Sequence, residues 1–162
     1  MLVLRQALRG FESPLRLGGG GVPRDLQAAR RPDDGDDAVD EQRPLREGAT
    51  FTAVVPYAGT PQVVVDPDGS SEGFVPTKDG AVVVNEPQGS PGWYPANDTP
   101  RDKATYTIAM TVPAGLTAVG NGALVSQTSA AGRTTFTWRE RFPMAPYLTT
   151  INLGKFVVTT GR

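Results

Sequence analysis

Apolar side chains fall on every second position through long stretches of this chain. Along Thr105–Val112, Tyr106, Ile108, Met110 and Val112 share one face, and Thr105, Thr107, Ala109 and Thr111 share the other. Alternation at period two predicts a strand with one buried face. Phe51–Tyr57 repeats the pattern with positions 51, 53, 55 and 57 on one side, and Thr134–Trp138 places Phe136 and Trp138 together. Gln62–Val65 and Ala81–Val84 are short β-branched runs, and Tyr147–Phe156 reads as a last long strand with Ile151 and Leu153 inward.

Between these runs stand Asp66-Pro67-Asp68-Gly69, Asp79-Gly80, Pro113-Ala114-Gly115, Asn121-Gly122 and Ala131-Gly132. Each offers what a tight turn needs: a fixed proline φ, a residue at ease in the left-handed region, or a short polar side chain. Strands at roughly 10- to 15-residue intervals, with no long helical stretch, predict an all-β fold. The expected architecture is an antiparallel curved double sheet, a saddle-like β-sandwich, because a one-sided sheet must bury its apolar face on a second layer. No internal repeat is visible.

Residues 1–45 follow a different grammar. Gly18–Gly21 is a four-glycine run, and Arg30-Arg31-Pro32-Asp33-Asp34-Gly35-Asp36-Asp37 is a charge block interrupted by proline and glycine. Leu2, Leu4, Leu8 and Phe11 outline a short amphipathic piece that nothing continues. So little apolar surface does not offset the entropy of ordering. The expectation is a largely disordered arm, or a misassigned start, over 1–45 and a β-domain over 46–162.

Composition narrows the chemistry. The 162 residues include 16 Lys and Arg against 17 Asp and Glu, so no basic field draws nucleic acid. No apolar run is long enough to span a membrane. Arg5 and Arg9 interrupt any signal-peptide core in Met1–Gly10, which leaves the compartment open between cytoplasm and export. The chain has no histidine and no cysteine. That removes the commonest zinc ligands, the usual general base and every thiolate, so no cofactor is expected in this chain. An all-carboxylate site for a hard cation survives the exclusion.

Three clusters have two readings each, and a fourth has one. Asp98, Asp102 and Glu140 suggest a carboxylate metal cluster, but the favoured reading makes Asp98-Thr99-Pro100 a turn in which the Asp side chain caps backbone N–H groups. Trp93 and Tyr94 suggest a sugar-stacking platform, but are expected to pack with their polar tips on partners. Arg139 and Arg141, flanking Glu140, read as cross-strand ion pairs before they read as an anion site. Gly120-Asn121-Gly122 reads as a turn with positive φ.

One stretch is more specific. Asn85-Glu86-Pro87-Gln88-Gly89-Ser90-Pro91-Gly92-Trp93-Tyr94-Pro95-Ala96-Asn97-Asp98-Thr99-Pro100 runs into Arg101-Asp102-Lys103-Ala104-Thr105-Tyr106. It is followed by Val112-Pro113-Ala114-Gly115 with Ala118-Val119-Gly120-Asn121-Gly122, and then by Pro143-Met144-Ala145-Pro146-Tyr147-Leu148. In this order the blocks resemble the amino-terminal domain of the M1 zinc metallo-aminopeptidases, the group of aminopeptidase N, over about residues 45–160.

The resemblance implies a fragment of an enzyme that releases amino-terminal residues from peptides. In that family a catalytic domain follows, with a His-Glu-x-x-His helix and a distal Glu that hold zinc. The expectation is that this chain stops before that domain, lacks catalytic and metal-binding residues, and is inactive alone. Its expected partners are the catalytic domain and, in the longer protein, a peptide substrate and zinc. The resemblance also implies that Glu86 matches the acidic or amide residue this domain lends to the cleft, where it holds the substrate's α-amino group. The plainer reading of Glu86 is a solvated glutamate at a strand end. A second functional class is a stand-alone β-sandwich that binds carbohydrate or protein through exposed aromatics such as Trp93.

Overall fold

The computed structural model describes residues 2–6, 57–157 and 159. Nine strands follow in chain order: β1 (Leu2–Gln6), β2 (Val63–Val65), β3 (Ser71–Pro76), β4 (Ala81–Val84), β5 (Ala104–Pro113), β6 (Thr117–Gly120), β7 (Ala123–Ala130), β8 (Arg133–Met144) and β9 (Ile151–Gly154). They form two sheets, in the order β1-β5-β8-β7 and β2-β3-β4-β9-β6. Every pairing is antiparallel. Among the described residues there is no α-helix, only the 3₁₀ turns Ser90–Gly92 and Pro146–Leu148. The chain is an all-β double sheet, as its alternation predicts.

The core lies between the sheets. Tyr106, Ile108, Met110 and Val112 of β5 are buried, and so is Phe136 of β8. They meet Val83 of β4, Ala118 of β6 and Ile151 of β9 from the other layer. Ile108 is 1% exposed, and burying such a side chain contributes about 1.5–3 kcal/mol. The Trp138 indole donates to the Ala118 carbonyl at 2.9 Å, joining the two sheets through a polar contact as well.

Three details differ from the reading by pattern. The arm contributes a strand: Leu2 stands opposite Met110 and Gln6 opposite Tyr106. The rest of the arm, and the run 51–56, lie outside the described residues. The expected strand Tyr147–Phe156 is shorter, because Pro146 starts a 3₁₀ turn in which the Thr149 N–H bonds the Pro146 carbonyl at 2.9 Å. Proline lacks the N–H a ladder needs and presets a turn φ. Finally β3, β6 and β7 form without a legible period. All eight residues of β7 are exposed, so its place is set by backbone pairing with β8 and not by an apolar face.

Candidate functional site

The chain leaves β4 at Asn85 and turns sharply. Asn85 is 3% exposed, so its amide must find partners inside. Its Nδ2 donates to the Thr149 carbonyl, and its Oδ1 accepts the Trp93 indole N–H at 2.9 Å. Its own carbonyl accepts the Gly89 N–H at 2.9 Å, which closes the turn over Glu86, Pro87 and Gln88. The Glu86–Pro87 peptide bond is cis.

The far side of the turn is held from β3. The Gln88 backbone N–H donates to Glu72 Oε2 at 3.0 Å, and the Gln88 side chain donates to Asp66 Oδ1 at 2.7 Å. Close backbone approach makes this possible: a Cβ on Gly89 would sit 2.5 Å from the Gly73 nitrogen. Gly73 itself has φ +82°, a region that favours glycine. Glu86 projects an exposed carboxylate from the middle of this pinned turn.

The charges beneath the turn are unusual. Glu72 is 3% exposed, covered by the turn laid over it. That burial pushes its carboxyl above the usual carboxylate range, Asp66 beside it adds to the rise, and the Gln88 N–H opposes it. Asp68, at the surface, is lowered by the Ser70 hydroxyl and backbone N–H.

The other residues singled out in the sequence fall elsewhere. Trp93 and Tyr94 are 6% and 2% exposed, with ring centroids 4.4 Å apart. The Tyr94 hydroxyl donates to Thr149 Oγ1 at 3.2 Å, so this pair packs inward, as expected, and presents no stacking platform. The Asp98 side chain is exposed and has no hydrogen-bond partner among the described residues. The local bond comes instead from Asn97, whose Nδ2 donates to Asp102 Oδ2 at 2.7 Å.

Glu140 does not pair with its arginine neighbours: its Oε1 accepts the Phe142 backbone N–H at 2.7 Å, and the strand positions opposite it and Arg139 on β5 are Tyr106 and Thr107. Among the described residues the expected cross-strand ion pairs are not formed, and the β5 positions opposite Glu140 and Arg139 carry no acid. Asn121 is not in the left-handed region, which Gly122 occupies at φ +80°. Its side chain instead bonds the Leu148 carbonyl at 2.9 Å and the Thr150 N–H at 2.7 Å.

Asn85 and Glu72 escaped the reading by sequence. Glu72 stands two residues before the half-buried Phe74, in the same strand phase, which is the one local signal that it faces inward. With neither histidine nor cysteine in the chain, and no group of three or more Asp or Glu placed to hold a metal ion among the described residues, these residues do not fit zinc. No helix among the described residues is long and apolar enough to cross a membrane.

Residues 78–148 match the peptidase M1 N-terminal domain. Among solved structures, the chain is similar to a mutant M1 zinc metallopeptidase from Deinococcus radiodurans bound to a Tyr-Ser-Ala substrate, at 36% identity and TM-score 0.66. It is also similar to a two-domain M1 zinc metallopeptidase mutant bound to L-arginine, at 36% identity and TM-score 0.67. A third similar structure is a two-domain mutant bound to L-tryptophan, at 36% identity and TM-score 0.60. Each similarity covers 70% of this chain, and the chain spans 26% of the length of each of these proteins. No curated protein matches it.

Proposed function

Since residues 78–148 of this chain form the N-terminal domain of the peptidase M1 family, we propose that it serves as the substrate-orienting wall of a longer zinc aminopeptidase. In this reading Glu86 receives the α-ammonium of the peptide's first residue. A carboxylate and an ammonium form a charge-assisted hydrogen bond, stronger than a neutral one. Fixing the amino end determines which peptide bond reaches the reacting centre, and that positioning lowers the barrier.

The observation that carries the reading is the contrast around Glu86. Asn85 and Gln88, on either side, are tied to Thr149, Trp93, Glu72 and Asp66, while the Glu86 carboxylate itself is exposed. A carboxylate carried on a pinned backbone and free to receive a cation suits an amine subsite. That similar proteins are seen with L-arginine, L-tryptophan and Tyr-Ser-Ala supports a ligand with a free amino end.

Zinc would supply the peptide-bond chemistry from the catalytic domain of the longer protein, and this chain's residues take no part in binding it. Docking against that domain would cover apolar side chains that are exposed here, among them Val84 beside the turn and Phe142 on β8. The reading of a stand-alone carbohydrate module loses its carrier, because the Trp93–Tyr94 pair is buried.

The test is an aminoacyl-anilide assay with zinc, run on this chain and on the protein that joins it to a His-Glu-x-x-His domain. Activity is expected only from the joined protein. There Glu86→Ala is expected to raise KM by about tenfold or more, the scale of one lost hydrogen bond to a charged group. An unchanged KM in Glu86→Ala sinks the role of Glu86, and chelator-sensitive turnover by this chain alone sinks the division of labour.

A further inference from the structure

We infer that Glu72 is a positioning residue for Glu86: its carboxylate, reaching under the turn from β3, fixes where the Glu86 side chain stands and thereby sets affinity for the substrate's amino end. The inference rests on the role of Glu86 proposed above, and goes beyond it by naming the group through which the fold holds that carboxylate.

The geometry leaves the turn few other anchors on this side. Gly73 pairs with Val84 at the end of β4, so Glu72 stands one residue past the last pair, where the chain departs into the turn. Its Oε2 meets the Gln88 N–H at 3.0 Å. Asn85 is pinned on the opposite side by Thr149 and Trp93. Glu86 and Pro87 are the two residues strung between these anchors. The backbones of Gly73 and Gly89 are already in close approach, so the turn cannot settle further toward β3. Removing the Glu72 carboxylate takes away the acceptor of the Gln88 backbone N–H and leaves this end of the turn on the Gln88 side chain's bond to Asp66 and the Gly89–Asn85 bond, so the backbone that carries Glu86 is held less closely.

The same carboxylate is costly to the fold when ionised. A covered carboxylate beside a second one is an electrostatic cost at neutral pH, and a fold needs only a neutral acceptor for one N–H. What an ionised acceptor adds is a stronger hold on that N–H. A substrate-binding group held in its binding position loses less freedom when the ligand arrives, so affinity rises without a new contact.

The test is a double-mutant cycle in the zinc-loaded joined protein, with KM and kcat for an aminoacyl-anilide as readouts. Glu72→Leu is expected to raise KM by about tenfold while kcat changes less than about threefold, the signature of lost binding. Glu72→Gln keeps an oxygen for the Gln88 N–H and is expected to restore KM to within about threefold of the parent. In the Glu86→Ala background, Glu72→Leu is expected to add nothing to KM, because the group it positions is gone. If the two effects add, Glu72 does not act through Glu86 and the inference falls while the reading of Glu86 stands. If Glu86→Ala alone leaves KM unchanged, both fall. Should Glu72→Leu fail to fold, Glu72→Asp, which draws the carboxylate back by one methylene, carries the same cycle. An unchanged KM in that variant, or an increase that persists in the Glu86→Ala background, overturns the inference.

Discussion

Trp93 and Asn85 are joined in the interior, the indole N–H donating to the side-chain carbonyl at 2.9 Å, and neither residue is more than 6% exposed. The Asn85 amide nitrogen turns the other way, to the Thr149 carbonyl at the entrance to β9. One side chain thus ties the turn bearing Glu86 to the segment Pro146–Thr149 and to the aromatic pair.

Asn85→Ala strands the Trp93 N–H and the Thr149 carbonyl together. Leaving a buried polar group unsatisfied costs about 1–3 kcal/mol. The expected loss is about 2–4 kcal/mol in chemical denaturation. A loss below about 1 kcal/mol shows that the bridge does not hold the turn.

Glu72 gives the fold a pH dependence whose sign can be worked out. Its folded-state pKa is raised above the ordinary value of 4.5, first by burial and then by Asp66 from the β2–β3 turn. The folded protein therefore holds this proton more tightly than the unfolded chain does. The stabilisation is complete below about 4.5 and is lost as pH rises through the raised folded value. Glu72→Gln removes this titration while keeping an acceptor for Gln88. Thermal melts are expected to place the variant at or above the parent at neutral pH, with a flatter profile on the acid side. Parallel profiles for the two proteins contradict the assignment.

Tyr106 and Tyr94 make a matched pair of opposite sign. The Tyr106 hydroxyl is buried with no well-formed hydrogen bond among the described residues, whereas the Tyr94 hydroxyl bonds Thr149 Oγ1. Tyr106→Phe is expected to be neutral or stabilising by up to about 1 kcal/mol, because it deletes an unpaired polar group. Tyr94→Phe is expected to cost about 1 kcal/mol or more. Comparing the two denaturation midpoints decides it, and the reverse order refutes the pairing.

The β7–β8 hairpin turns on Ala131 and Gly132, with φ +49° and +71°. Both central residues of a two-residue loop of this hand need positive φ, and asparagine tolerates that better than alanine. Ala131→Asn is expected to raise stability by about 0.5–1 kcal/mol, with Ala131→Val lowering it. Melting temperatures of the two variants moving together would leave the turn without this role.

Legibility followed the range of the forces. The burial of β5 alternates as its sequence does, because one apolar face against a second layer leaves a period in the chain. β7 left none, since both its faces are exposed and its register comes from β8. The ion pairs expected around Glu140 required knowledge of what lies opposite, and Tyr106 and Thr107 offer no charge there. Glu86 was singled out through the block it belongs to. Its two supports were not, because Asn85 bonds a residue 64 positions away and Glu72 one 16 positions away.

By itself, the sequence determined the all-β class, most of the turns and the lack of histidine and cysteine, since side-chain period, backbone allowance and composition are properties of the residues where they stand. Only the tertiary structure decided that Glu72 would be buried under a turn, that Asn85 would bridge two segments, and that the Trp93–Tyr94 pair would face inward. Those outcomes depend on which backbone groups come within about 3 Å of each other once two sheets close. A linear pattern carries no measure of that distance.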